Sequence, residues 1–190
     1  MSWVSGERTL ARASVRDCTL STRRSSPLYS LSCVSSFFND SAGAPRPNQP
    51  RCASVLALIE DDAGRLLLEH RSDAPAWSLI GGAVEHDETF TDALRREVYE
   101  ETGLRVAHYE FFGTFSSPAR IISYSDGNVF QLASLAYSVR VADTSELRVS
   151  AESTELRFFT RSELPPKRLA ATQRPIIERY LSGMKPPFLD

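Results

Sequence analysis

Glu97, Glu100 and Glu101 fall within one turn of a segment that carries the apolar spacing of a helix, and this constrains the fold more than any other stretch of the chain. Phe90, Leu94 and Val98 recur at i, i+4 and i+8 through Thr89–Thr102, and Gly103 stands where a C-terminal cap belongs. Residues at i, i+3 and i+4 share a helical face. At about 100° per residue, the three carboxylates span roughly 100° of the circumference. The apolar stripe fills the neighbouring arc, so the acids flank the buried face at the rim of a groove.

Like charges at this spacing cost a few tenths of a kcal/mol in water. They cost more when desolvated, unless protonated or matched by cations. A hard divalent cation, magnesium or manganese, relieves the repulsion and prefers oxygen ligands. The same ion bridges phosphate oxygens, polarises phosphorus and makes a bound water more acidic. A solvated acidic face is the alternative reading of E-x-x-E-E on a helix.

The rest of the chain narrows the setting. Its 190 residues accommodate one ordinary domain and a tail. A net charge of −2 gives no electrostatic case for duplex nucleic acid, and no specific nucleic-acid partner is expected. No run of about 18 apolar residues is present, so no membrane span is expected. Cys18, Cys33 and Cys52 lack metal-ligand spacing and read as reduced thiols of an intracellular, cytoplasmic protein. Residues 1–50 are rich in Ser and Arg, poor in acids, and close on a Gly/Pro-rich linker from Gly43 to Pro50. Two readings of this stretch compete: a flexible extension, and an organelle transit peptide. Leu28, Leu31, Phe37 and Phe38 are scattered rather than on one helical face, which favours the extension.

From Cys52 onward the pattern is regular. Ala53–Ile59, Arg65–Arg71 and Trp77–Ile80 read as extended, the first two as a hairpin around Asp61-Asp62-Ala63-Gly64. Val106–Phe115, Arg120–Ser125, Val129–Val141 and Leu156–Thr160 follow as strands, with a turn at Ser125–Asn128. A final helix over Thr172–Ser182 carries Ile176, Ile177, Tyr180 and Leu181 on one side. This order predicts an α/β (α+β) domain over residues 51–185 with a mixed central sheet between helices.

Gly82, then Glu88 and then Arg96-Glu97-Val98-Tyr99-Glu100-Glu101-Thr102-Gly103-Leu104 fit G-x5-E-x7-R-E-U-x-E-E-x-G-U at every fixed position, U being a bulky aliphatic. At average composition, a chance match is expected on the order of once in ten million chains of this size. The pattern resembles the signature of the Nudix hydrolase family. Trp77-Ser78-Leu79-Ile80-Gly81-Gly82 resembles the family's W-x-L-P-G-G lead-in, with Ile80 where proline is usual, and Glu152–Phe159 resembles its E-x-x-E-hydrophobic strand. The resemblance covers roughly Cys52 to Leu181 and implies an α/β/α sandwich and a magnesium- or manganese-dependent pyrophosphohydrolase.

The resemblance also implies roles. Glu97 and Glu101 are the principal metal ligands, joined by Glu100 and the backbone carbonyl of Gly81. Arg96 orients a glutamate, and Glu88 either serves the metal or pairs with Arg96. Glu152 is the first candidate for a general base outside the box, with Glu155 beside it. Arg71 for phosphate, and Trp77 and Phe115 for base stacking, are the candidate substrate contacts; a surface arginine and core aromatics are the alternatives. Pro118 lies shortly downstream of the box, where ADP-ribose-cleaving relatives carry a proline, and Ser116-Ser117-Pro118 equally reads as a turn. His70, His86 and His108 form no cluster.

The expected substrate is a nucleotide-derived small molecule: a nucleoside triphosphate, ADP-ribose, a nucleotide sugar or a dinucleoside polyphosphate. Two alternatives stand beside it, a non-catalytic nucleotide-binding regulator and a hydrolase of non-nucleotide diphosphates. A homodimer is expected by resemblance, since many relatives are dimers.

Overall fold

The computed structural model describes residues 34–190. Strands β1 (Ser36–Phe38), β2 (Cys52–Ile59), β3 (Leu66–Arg71) and β4 (Trp77–Ser78) precede helix α1 (Phe90–Thr102). Strands β5 (Val106–Phe115), β6 (Ile121–Ser123), β7 (Val129–Val141) and β8 (Ser153–Phe159) follow, and helix α2 (Arg174–Leu181) comes last.

Two sheets form instead of one. In the larger, β7 pairs in parallel with β2 and antiparallel with β5 and β6, and β1 adds to β6. In the smaller, β3 lies between β4 and β8, antiparallel to both. The predicted hairpin of β2 with β3 is therefore not formed; a lone bridge from Glu60 to Leu66 joins them where the chain turns. Burial explains this. Val55 to Ile59 are all buried, so β2 needs cover on both faces, which a parallel neighbour and two flanking helices provide.

Side-chain alternation along β2 allocates the two cores. Val55, Ala57 and Ile59 pack with Leu67, Ile80, Leu94, Val98 and Leu104 under α1. Leu56 and Leu58 pack with Leu66, Leu68, Phe112, Ile176, Ile177 and Tyr180 under α2. Each fully buried aliphatic contributes about 1.5–3 kcal/mol, so the two helices are held chiefly by these opposite faces. The layering is helix, sheets, helix, as expected.

Helix α1 is fixed at both ends. Thr89 and Asp92 form a reciprocal capping box, and Gly103 closes the helix in the left-handed region (φ 76°), donating its N–H to the Tyr99 carbonyl. The predicted stripe is narrower than its spacing suggests, because Phe90, on the first turn, is 37% exposed while Leu94 and Val98 are buried. On α2, Ile176, Ile177 and Tyr180 are buried and Leu181 points outward.

Parts of residues 34–50 touch the domain at Ser35–Phe38 and Asn48–Gln49. Strand β1 is laid on β6, Ser35 N–H donates to the Asp73 carbonyl (2.7 Å), and Asn48 exchanges hydrogen bonds with the Val129 backbone. The expectations for residues 1–33, including Cys18, Cys33, Leu28, Leu31 and a transit peptide, lie outside the described residues. Among the described residues no helix is long and apolar enough to cross a membrane.

Candidate active site

The Gly81-Gly82 turn and the third turn of α1 meet at one end of the first core. Gly81 adopts φ +139°, and a Cβ there would stand 2.2 Å from the Val55 carbonyl oxygen. Its N–H donates to Glu101 Oε2 at 2.9 Å. Beside it, a Cβ on Gly82 would fall 2.5 Å from Glu97 Oε1, so that glycine leaves the space its carboxylate occupies. The two glycines therefore predict different failures. Gly81→Ala, blocked by backbone, is expected to lower stability by at least about 2 kcal/mol. Gly82→Ala meets a movable side chain and is expected to keep its melting temperature while losing activity by about 10–100-fold. Thermal denaturation and initial rates on both variants separate the two.

Arg96 anchors the acids around it. Its guanidinium grips Glu88 with two hydrogen bonds (3.0 and 2.6 Å), donates to Glu97 Oε1 (2.8 Å) and Glu100 Oε2 (3.2 Å), and reaches the Ala83 carbonyl (3.0 Å). Arg96 holds the Glu88 carboxyl below its usual range by hydrogen bonding. Glu88 is paired with Arg96, and it is absent from the walls of the cleft described next.

Glu97, Glu100, Glu101, Ser150, Ala151 and Glu152 line a cleft of about 270 Å³. Glu101 is 4% exposed. Burial pushes its carboxyl well above the carboxylate range, and the charges of Glu69, Glu97 and Glu152 push the same way, against the Gly81 hydrogen bond. Burial likewise raises Glu97 to about 7, despite the opposing pull of Arg96. Glu100 remains largely exposed. Glu152 arrives on the loop before β8, its carbonyl accepting hydrogen bonds from the N–H and Oγ of Ser72, both at 2.8 Å. Among the described residues, no three acidic, His or Cys side chains already converge as a ligand set, since Glu97 turns to Arg96 and Glu101 to the Gly81 amide.

Residues 50–180 match the model of the NUDIX domain, well over half of the chain. The chain belongs to the Nudix hydrolase family. This Nudix hydrolase is 34% identical over 131 residues to an ADP-ribose pyrophosphatase of Methanocaldococcus jannaschii, covering 67% of the chain and 72% of that protein. It is also 34% identical over 111 residues to a MutT-like protein of Streptomyces ambofaciens, covering 58% of the chain but only 65% of that protein. Among solved structures, a MutT Nudix hydrolase from Burkholderia pseudomallei superposes with a TM-score of 0.56 at 27% identity, over 70% of this chain and 98% of that one.

Elsewhere in this Nudix hydrolase, the residues expected to touch substrate are already engaged. Arg71 is 18% exposed at its side chain, and its guanidinium binds Asp73 through two hydrogen bonds (2.6 and 2.8 Å). Trp77 is buried edge-on between His70 and Phe159, and Phe115 is buried against Phe112. Their rings serve the core under α2 rather than the carboxylate cleft.

One residue of the site escaped sequence reasoning. Glu69 on β3 is 1% exposed, accepts hydrogen bonds from Ser78 Oγ (2.7 Å) and from Ser153 Oγ, and lies 3.5 Å from Arg71 Nη1. Its carboxyl is raised by burial, and its charge acts on Glu101. The signal was available in strand alternation: Glu69 lies two residues beyond Leu67, on the face that packs under α1.

Proposed function

We propose that this Nudix hydrolase is a magnesium- or manganese-dependent pyrophosphohydrolase that cleaves the diphosphate of a nucleoside diphosphate joined to another group. One observation carries the reading: the buried Glu101 and the half-buried Glu97 share a cleft with Glu100 and Glu152, and the cationic partner among them, Arg96, touches Glu97 and Glu100 but makes no hydrogen bond to Glu101. An all-oxygen donor set with surplus negative charge fits a hard divalent cation.

Glu97, Glu101 and Glu100 would hold that ion, with the Gly81 carbonyl as a backbone donor beside them. When bound, the ion supplies Lewis-acid charge on the diphosphate oxygens. Arg96 orients Glu97 and Glu100 through its hydrogen bonds and offsets part of their mutual repulsion. Glu152, on the loop wall opposite α1, takes the proton of the water that attacks phosphorus.

The nucleotide reading draws on relatives as well as on the cleft. Similarity to a protein named ADP-ribose pyrophosphatase extends over most of the domain, and a further relative in Escherichia fergusonii, 38% identical over 78 residues, is named nucleoside triphosphatase. ADP-ribose is therefore the first substrate to try. Phosphate release from a panel of ADP-ribose, nucleoside triphosphates, nucleotide sugars and dinucleoside polyphosphates, with magnesium or manganese, is the test. Turnover of at least one member is expected, and Glu152→Gln is expected to lower kcat by about 10²–10⁴-fold with little change in KM. Tight nucleotide binding without turnover across the panel would overturn the enzymatic reading in favour of a regulator.

A further inference from the structure

A second cavity, of about 250 Å³, opens where the loop after β5 meets α2, and it is walled by residues the carboxylate cleft does not use. Arg120 forms part of that wall, and it is 1% exposed. Its Nε donates to the Thr172 carbonyl (2.8 Å), and its Nη1 to the Phe115 carbonyl and to Ser134 Oγ (3.1 Å). Its Nη2 is buried and, among the described residues, has no hydrogen-bond partner. A buried guanidinium with an unused N–H is costly, because desolvation is not offset by a bond. Nor does Arg120 have an ion-pair partner within 4 Å among the described residues, in contrast to Arg71 and Arg96.

Next to it stands a complete set of donors for an anion, and Asp190 occupies it. The N–H groups of Ser116 and Ser117 both point at Asp190 Oδ2, the latter at 3.0 Å, and the hydroxyls of Thr114 (3.1 Å) and Ser116 (3.2 Å) point at Oδ1. Successive backbone amides aimed at one point form an anion-binding concavity. Arg179 also lines the cavity, and Asp40 is the second carboxylate on its wall.

The segment that carries Asp190 is anchored at Phe188, which is buried in the core under α2 with Arg179 over its ring at 5.5 Å. Phe188 exchanges backbone hydrogen bonds with Phe112 and Thr114 (2.9 Å each) and lays its ring on Phe112 at 5.0 Å. The approach depends on Gly113, where a Cβ would stand 2.3 Å from the Phe188 carbonyl oxygen. Leu189 beyond it is 76% exposed.

We propose that this cavity is an anion-binding site for the phosphate or carboxylate of a small molecule, and that Asp190 is its displaceable internal occupant. An incoming anion takes the Ser116 and Ser117 amides from Asp190, meets the free Nη2 of Arg120, and gains Arg179. The incoming anion then stands in for Asp190 among Arg120, Arg179 and Asp40.

The test follows the Ser116 and Ser117 amide resonances in metal-free, isotope-labelled protein titrated with inorganic phosphate, and separately with acetate. Saturable shifts at both amides are expected, and the tighter of the two anions identifies the chemistry the site prefers. Asp190→Ala removes the occupant, and Gly113→Val dislodges the segment by a different route. Each is expected to tighten the apparent Kd about tenfold or more. Arg179→Gln in the Asp190→Ala background is expected to erase that gain at an exposed residue, with Tm measured alongside because Arg179 also lies over the Phe188 ring at 5.5 Å, and Arg120→Gln to abolish binding if it folds. Equal affinities in wild type, Asp190→Ala and Gly113→Val would overturn the proposal, as would tightened binding that Arg179→Gln leaves untouched.

Discussion

Glu101→Gln is expected to abolish turnover, by on the order of 10³-fold, while making the metal-free protein more stable. The two effects share one cause. Glu101 is nearly fully buried and, among the described residues, accepts a single hydrogen bond, from the Gly81 amide, while Glu69, Glu97 and Glu152 all act against its charge. Glutamine keeps an oxygen for that amide and removes the charge, so the folded state no longer bears its desolvation. A gain of about 1–2 kcal/mol, or a few degrees in Tm, is expected without metal. Activity falls because a neutral amide cannot balance a divalent ion, and losing one preorganised charge at a reacting centre costs about 3–4 kcal/mol in the barrier. Calorimetry with chelator and initial rates with magnesium check the two halves. A variant that is inactive and also markedly less stable would show Glu101 to be a structural residue instead.

The second large effect is on stability against pH. Glu97 is raised from 4.5 to about 7, chiefly by burial. Below pH 4.5 the folded and unfolded chains both hold this proton. Between 4.5 and about 7 the folded chain holds it and the unfolded chain has released it. The unfolded state then binds fewer protons, so stability falls as pH rises across that window and levels off above it. At about 1.4 kcal/mol per pH unit the interval corresponds to ~3 kcal/mol before solvent screening, and about 2 kcal/mol is expected in practice. Glu69 and Glu101 are raised too and add to the same slope. Urea midpoints from pH 4.5 to 8 in chelator should therefore decline, with Glu97→Gln flattening part of the decline. Magnesium at pH 7.5 should restore stability to the wild type more than to Glu97→Gln. A flat profile in chelator would remove the electrostatic basis of the cleft.

Much of the cleft was legible because its chemistry is local in sequence. Helical spacing alone puts Glu97, Glu100 and Glu101 together, and Gly103 marks the end of the helix that carries them, while the Thr89–Asp92 capping box emerged only in the structure. Gly81 and Gly82 stood out as fixed positions of the family's pattern, although what they approach, the Val55 carbonyl and the Glu97 carboxylate, was not readable. Arg71 shows the opposite case. Its place at a strand end suggested a free cation, but Asp73, two residues on, turns back and claims it.

Helix α1, its Gly103 cap, the carboxylate cluster and the family resemblance were all written in residues close together along the chain, because each depends on near neighbours. Tertiary structure decided which sheet each strand joined, that Glu69 would be sealed behind Glu101, that Glu152 would be carried to the opposite wall, and that Asp190 would reach the Ser116 and Ser117 amides. Those meetings link positions tens of residues apart. They are fixed by the burial of β2 on both faces and by the pairing of β3 with β8, which only a completed core can select.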